Sequence, residues 1–310
     1  MKIAFLCLAH DNFDYISALS DYCCSDMDGF FLHIDSAVNL DEPINLHKNT
    51  FLLNDKDRKR TRWGTFEIVE ATLELLKMAV NKKEYDRFIL ISGSDLPLLS
   101  KKSLKKMLNI DCNYFSIWDE VSIEDKSPSK LNREFFKKHF YNSFLTNPGE
   151  VHRSKNRFRI HFSRILNYLI SFLPNNQNYT YKKYYKGSQW WCITKELALF
   201  FIYESKKNHI EQFKRMHAPD EKFFVTLAMN SKYKNKIRLS YSQASLVQGL
   251  HYIDWGGVSK KGLQIFNTSQ VEEAKILKCA FARKIDAKKS NDYITYLMEI
   301  TSHYSFEEKR

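Results

Sequence analysis

The amino-acid sequence predicts an α/β protein built on a mostly parallel central sheet flanked by helices. Apolar strand-like runs alternate with helical periods through the first hundred residues, as successive strand-helix-strand units require. The run Arg87-Phe88-Ile89-Leu90-Ile91-Ser92 stops at Gly93-Ser94-Asp95-Leu96-Pro97, which marks a central strand buried on both faces. The chain has 310 residues, 44% of them hydrophobic, enough for a substantial core. No apolar run approaches the roughly 18 residues of a bilayer span, so a soluble, folded protein is expected.

The elements follow in order. Ile3 to Ala9 reads as the first strand and not as a signal peptide, because His10-Asp11-Asn12 stands where small cleavage-site residues should lie. Gly29 to Ile34 and Thr50 to Leu53 read as the next two strands. Between Thr65 and Lys82, Phe66, Val69, Leu73, Leu76 and Val80 step by three and four and form one helical stripe to cover the sheet. Tyr114 to Trp118 is a further strand, and long loops and helices are expected from about Asn113 to Tyr185. Ile165 to Leu173 is too short to span a bilayer and is expected as a buried helix, the alternative being a surface patch for membrane or partner. Gly187 to Ile193 reads as a strand leading into a helix from Lys195, Pro219-Asp220-Glu221 as the first turn of another, and Gln270 to Lys278 as a helix. With no repeat or linker, residues 1–310 are expected to form one compact domain in two parts, 1–112 and 113–310.

Six cysteines without a C-x-x-C pair or a secretory signal suggest reduced thiols and a cytoplasmic setting. An excess of 48 basic over 36 acidic residues, net +12, points to an anionic partner: a phosphorylated ligand, a membrane face or nucleic acid. Nine glycines are few, and neither G-x-G-x-x-G nor G-x-x-x-x-G-K-[ST] occurs, which removes the ordinary dinucleotide and P-loop classes. No H-E-x-x-H, G-x-S-x-G or zinc-spaced Cys/His set is present.

Asp35 and Asp95 each follow a buried strand, where a carboxylate can accept from a ribose or base, hold a divalent ion, or simply cap a turn. The triplets Asp26-Met27-Asp28 and Asp55-Lys56-Asp57 lie in polar loops, the second running into Arg58-Lys59-Arg60, and neither reads as a metal site. Glu221, in a helix first turn, suits either a base for a hydroxyl nucleophile or a partner of the helix dipole. Lys260-Lys261 and Arg283-Lys284 would make a diphosphate clamp if they converge, and solvated surface if they do not. Trp63, Trp190, Trp191 and Trp255 suit stacking on a sugar or base, or burial in the core.

Taken in order, Ile3 to His10, His33-Ile34-Asp35, Arg62-Trp63-Gly64, Ile91 to Pro97, Gly187-Ser188-Gln189-Trp190, Pro219-Asp220-Glu221, Ile253-Asp254-Trp255 and Phe281-Ala282-Arg283-Lys284 resemble one family. It is the core-2/I-branching β-1,6-N-acetylglucosaminyltransferase and peptide O-xylosyltransferase family, glycosyltransferase family 14. Only about Asp119 to Tyr185 lacks a counterpart. The resemblance implies a GT-A-type (Rossmann-like) fold and inverting transfer of GlcNAc, xylose or a similar sugar from a UDP-sugar to a saccharide hydroxyl. It implies no cofactor and no divalent metal, since Ser92-Gly93-Ser94-Asp95 stands where other GT-A enzymes carry a metal-binding D-x-D.

By the same resemblance Glu221 is the general base. His10, Asp35, Arg62, Trp63, Lys261, Arg283 and Lys284 bind the donor, with Lys261 standing where a family member has arginine and so lacking arginine's bidentate fork. Asp95, Ser188, Gln189, Trp190 and Trp255 face the acceptor or the transferred sugar, and Arg153, Arg157 and Arg159 match acceptor-side basic residues loosely. Animal members carry a membrane anchor, a stem and disulfides, whereas this chain opens on the catalytic strand. It looks like a bacterial cytoplasmic relative acting on a lipid-linked saccharide in surface polysaccharide or capsule assembly, with peripheral contact to an anionic membrane. The alternatives are a nucleic-acid or anionic-polymer binding protein, for which no recognised module is present, and a catalytically inactive sugar-binding relative.

Overall fold

Successive residues of strand β1 (Ile3–Ala9) point to opposite faces of the sheet, and both faces are apolar. Ile3, Phe5, Cys7 and Ala9 enter one core, while Ala4 and Leu6 enter a second. Strands β2 (Gly29–Ile34) and β4 (Arg87–Ser92) divide likewise: Phe30, Leu32, Ile89 and Ile91 face the first core, and Phe31, Phe88 and Leu90 the second. This double burial is why the strands read as unbroken apolar runs. The computed structural model describes residues 1–40, 43–124, 157–170, 179–240, 246–256, 263–286 and 290–307.

Helix α1 (Phe13–Cys23) seals the first core with Tyr15, Ile16, Leu19 and Tyr22, and helix α2 (Glu67–Lys82) seals the second with Val69, Leu73, Leu75, Leu76 and Ala79. Strand β3 (Thr50–Leu52) lies at one edge of the sheet. Beyond the short strand β5 (Asp95–Pro97) come helix α3 (Lys101–Met107), β6 (Asn113–Ser116) and β7 (Asp119–Ser122). Then follow helix α4 (Arg157–Ile170), β8 (Lys183–Lys186), β9 (Cys192–Thr194), α5 (Lys195–Glu204), α6 (Phe223–Met229) and β10 (Ile237–Ser240). The chain closes with β11 (Val247–Gln248), β12 (His251–Ile253), helix α7 (Val271–Ile276), β13 (Phe281–Arg283) and helix α8 (Ser290–Glu307). Helix α8 packs against α1.

The main sheet runs β10-β6-β9-β4-β1-β2-β3, with β9 antiparallel to both neighbours and every other pair parallel. Strands from both halves of the chain therefore share one sheet. A second sheet, β11-β12-β13-β5, stands beside it. Its antiparallel β13/β5 register sets Arg283 opposite Asp95, so residues 188 positions apart meet by backbone pairing.

Four expectations need correction. Asp95 does not end the central strand: β4 stops at Ser92, and Asp95 opens β5 of the second sheet. Gly187 to Trp191 is not strand, because Gly187 lies against Ser116, where a Cβ would stand 1.7 Å from the carbonyl oxygen, and the Trp190 amide donates to Ser188 Oγ at 3.3 Å. Pro219–Glu221 is a separate 3₁₀ turn entered through Ala218 in the left-handed region at φ 45°, and α6 begins only at Phe223. Helix α4 is not buried, since Phe158, Phe162, Ile165, Tyr168 and Leu169 are all exposed; residues 171–173 lie outside the described residues. Among the described residues no helix is long and apolar enough to cross a membrane. Asp28 of the first D-x-D triplet is buried against Lys101 and Lys105, and the six cysteines are unpaired.

Candidate active site

The parallel strands β1, β2 and β4 all end at one edge of the sheet, and a cavity of about 440 Å³ opens there. Such strand ends are where open α/β sheets bind ligands. His10 and Asp11 follow β1, Asp35 follows β2, and Ser92-Gly93-Ser94 follow β4. The loop Arg60-Thr61-Arg62-Trp63 forms one wall, and Gln189, Trp190, Arg283 and Lys284 form the opposite one. Arg60, Arg62, Arg283 and Lys284 face it along with Asp11 and Asp35, Arg62 also pairing with Glu67.

Asp35 builds the first wall. Its Oδ1 accepts from the Ala37 amide at 2.8 Å, and its Oδ2 accepts from the Thr61 amide at 2.8 Å and the Thr61 hydroxyl at 2.5 Å. Burial alone would raise its pKa, but these donors outweigh it and hold the carboxyl below its ordinary value. A carboxylate oxygen has two acceptor positions, so Oδ1 keeps one for a ligand. Arg58 fastens the same loop, donating to the carbonyls of Ile34, Asp35 and Val38 at 2.8–2.9 Å, and His33 Nε2 accepts the Lys59 amide at 2.9 Å. Burial lowers the His33 pKa to about 4, so the ring is neutral and free to accept.

Behind the opposite wall lies Asp95. Its Oδ2 accepts the Ser92 amide at 2.7 Å, its Oδ1 accepts the Ser92 hydroxyl at 2.9 Å, and Arg283 Nη1 pairs with Oδ1. The Arg283 guanidinium lies 4.2 Å from the centre of the Trp190 ring, and Trp190 packs in turn on His251, which stacks on Phe281. Burial would raise the pKa of Asp95; Arg283 and His251 outweigh it and hold the carboxyl below its ordinary value. Burial also lowers the pKa of His251, whose Nε2 lies 3.4 Å from Asp95. The cavity thus presents a cation stacked on an aromatic face, held from behind by a carboxylate that no ligand reaches.

Glu221 does not line this cavity, but it is tied to both walls. Its carbonyl accepts the Gly187 amide at 2.8 Å, two residues before Gln189, and the Ala218 amide three residues earlier donates to Gly64 O at 3.2 Å beside Trp63. The Trp63 ring also packs on His217 at 5.2 Å. Glu221 Oε2 lies 3.7 Å from Lys186 Nζ. The adjacent Asp220 has Oδ1 shut off from solvent with no hydrogen-bond partner, and burial raises its pKa to about 6 despite Lys222 and Lys186 nearby.

Of the residues singled out in sequence, His10, Asp35, Arg62, Trp63, Gln189, Trp190, Arg283 and Lys284 converge on the cavity. Asp95 does not: it is fully buried and cannot touch a sugar. Ser188 is also buried and serves the turn before Trp190, while Trp255 is half-buried against the second core. Lys261 and Arg153 lie outside the described residues, and Arg157 is exposed on α4. Sequence reasoning missed Arg60, Thr61 and His251. The Arg58-Lys59-Arg60 run was visible, but nothing in its spacing revealed that Asp35 and Arg58 pin it against β2. Among the described residues no group of three His, Cys, Asp or Glu side chains could hold a metal ion.

The core-2/I-branching enzyme family model matches residues 3–279, nearly the whole chain. The chain belongs to the core-2/I-branching enzyme family. The family consists of glycosyltransferases, so the protein is a glycosyltransferase that takes a sugar donor and a saccharide acceptor. The match ends before Arg283 and Lys284, which the structure brings to the cavity. No curated protein sequence matches the chain.

Proposed function

We propose that the protein is an inverting, GT-A-type glycosyltransferase that moves a sugar from a UDP-sugar to a saccharide hydroxyl without a divalent ion. The observation that carries this reading is the strand-end cavity with Arg60, Arg62, Arg283 and Lys284 on its walls. Fixed cations of this kind stabilise the charge that develops on a departing diphosphate, the task a metal performs elsewhere. Asp35 keeps an acceptor position for the uridine, and Trp63 and Trp190 offer aromatic faces to the base or sugar. Lys261 supplies a further diphosphate charge in this reading.

Glu221 takes the acceptor proton as the hydroxyl oxygen attacks the anomeric carbon from the face opposite the departing UDP. The C–O bond to the diphosphate breaks with its electron pair going to UDP, so one displacement inverts the anomeric centre. Lys186 Nζ, at the end of β8, lies 3.7 Å from Glu221 Oε2. The acceptor is a lipid-linked saccharide at an anionic membrane face, in bacterial surface polysaccharide or capsule assembly, a reading supported by the net charge of +12.

Titration calorimetry with UDP, in EDTA and again with magnesium or manganese, tests the cavity. Binding in EDTA is expected; binding only with metal would overturn the cation-only reading. For the base, Glu221→Gln is expected to lower kcat by about 10²–10⁴ with UDP affinity kept, the usual contribution of a positioned base. Unchanged turnover would remove Glu221 from that role.

A further inference from the structure

Helix α4 carries Phe158, Phe162, Ile165 and Leu169 at steps of four, three and four, which sets them on one stripe. These side chains are 43–78% exposed, and the Phe158 and Phe162 rings stack at 6.3 Å. Single exposed apolar residues are ordinary, but several along one helix face form an exposed apolar patch. The same 14-residue helix contains Arg157, Arg159, His161 and Arg164 and no carboxylate, with Arg157 and His161 exposed.

We propose that α4 is an interfacial helix that lies in the surface of an anionic bilayer, its Phe158-Phe162-Ile165-Leu169 stripe in the acyl boundary and its exposed Arg157 and His161 toward the headgroups. An apolar stripe bordered by basic residues is the composition such helices use. Nucleic acid would engage the arginines but leave the stripe in water. A second copy of the helix would cover the stripe, but a two-fold contact would also bring two basic helices together. An anionic lipid surface satisfies both the apolar and the cationic features at once.

This deepens the proposed membrane-side acceptor and rests on it for its purpose, although lipid binding is measured without turnover. The full chain is floated with vesicles of phosphatidylcholine, and with vesicles of phosphatidylcholine and phosphatidylglycerol in equal amounts, at low and high salt. Flotation is expected only with the anionic vesicles, and release at high salt. Replacing Phe162 and Ile165 by Ser should lower partitioning about tenfold or more, from the apolar burial lost, and Arg157→Gln about fivefold. Both variants change exposed positions, and an unaltered thermal transition shows that the fold is kept.

Absence of flotation, equal flotation of the serine variant, or salt-indifferent binding to both vesicle types would each overturn the proposal. A dimer in solution that the serine variant disperses, with no vesicle binding, would assign the stripe to a second copy instead. UDP titration of the same samples separates the two readings. Vesicle binding without UDP binding would fail the donor site alone, and UDP binding without vesicle binding would fail the helix alone.

Discussion

Two aspartates near the candidate site, Asp95 fully buried and Asp220 half-buried with one oxygen shut away from water, have pKa values displaced in opposite directions. Asp95 beneath the cavity wall meets Arg283, the Ser92 amide and the Ser92 hydroxyl, and its pKa falls. Asp220 beside Glu221 has an oxygen with no partner, and its pKa rises to about 6. Lys222 is buried and donates to the carbonyls of His217 and Ala218, and its charge and that of Lys186 offset the burial of Asp220 only in part. Burial penalises both carboxylates; Arg283, His251 and the Ser92 amide outweigh it at Asp95, whereas backbone amides and nearby lysines do not at Asp220. The carboxyl behind one wall is therefore held ionised, while Asp220, beside Glu221, titrates near 6.

The strongest way to break this contrast is to remove Asp95. Asp95→Ala leaves Arg283 facing an uncompensated interior and is expected to cost about 3–5 kcal/mol in urea unfolding, as for other broken buried pairs. A cost below about 1 kcal/mol would show that the pair is solvated and the wall is not fixed. The pH dependence follows from the depressed pKa: the stabilisation from Asp95 is full above the ordinary carboxylate range and is lost as pH falls through the folded-state value.

Asp220 has the opposite sign. With a folded pKa of about 6 against 3.8, its relative stabilisation is present below the unfolded value and is lost as pH rises through 6. Asp220→Asn is therefore expected to raise stability by about 1–3 kcal/mol at pH 8 and to change little at pH 4. Thermal unfolding at the two pH values measures this; equal effects at both would mean that Asp220 is ionised throughout.

A smaller effect sharpens the comparison on the ligand side. Lys284 is exposed at the cavity, so Lys284→Ala should leave the fold intact and weaken UDP about tenfold, the scale of one charge-assisted hydrogen bond. Calorimetry checks this, and unchanged affinity would move the diphosphate toward Arg60 and Arg62.

Much of the fold was legible in advance because β1, β2 and β4 are buried on both faces, which forces unbroken apolar runs into the sequence. Helix α2 was legible because its stripe covers that sheet. Helix α4 misled for a related reason: its apolar residues signal a helix equally well whether the stripe meets a core or water, and periodicity does not record what lies opposite. The motif residues Asp35, Arg62, Trp63, Trp190 and Lys284 all line the cavity: Asp35 and Lys284 directly follow strands and Trp190 stands just before one, whereas Arg62 and Trp63 lie in the loop before α2.

The sequence by itself determined the strand-helix alternation, the basic charge and the short motifs that carry the family. Tertiary structure alone decided which of those residues face the cavity. Asp95 and Arg283 meet only because β13 pairs antiparallel with β5, and Arg60 reaches the site only because Asp35 and Arg58 hold its loop. Local patterns follow from neighbours along the chain, whereas partners far apart in sequence are set by sheet register and burial, which only the folded chain supplies.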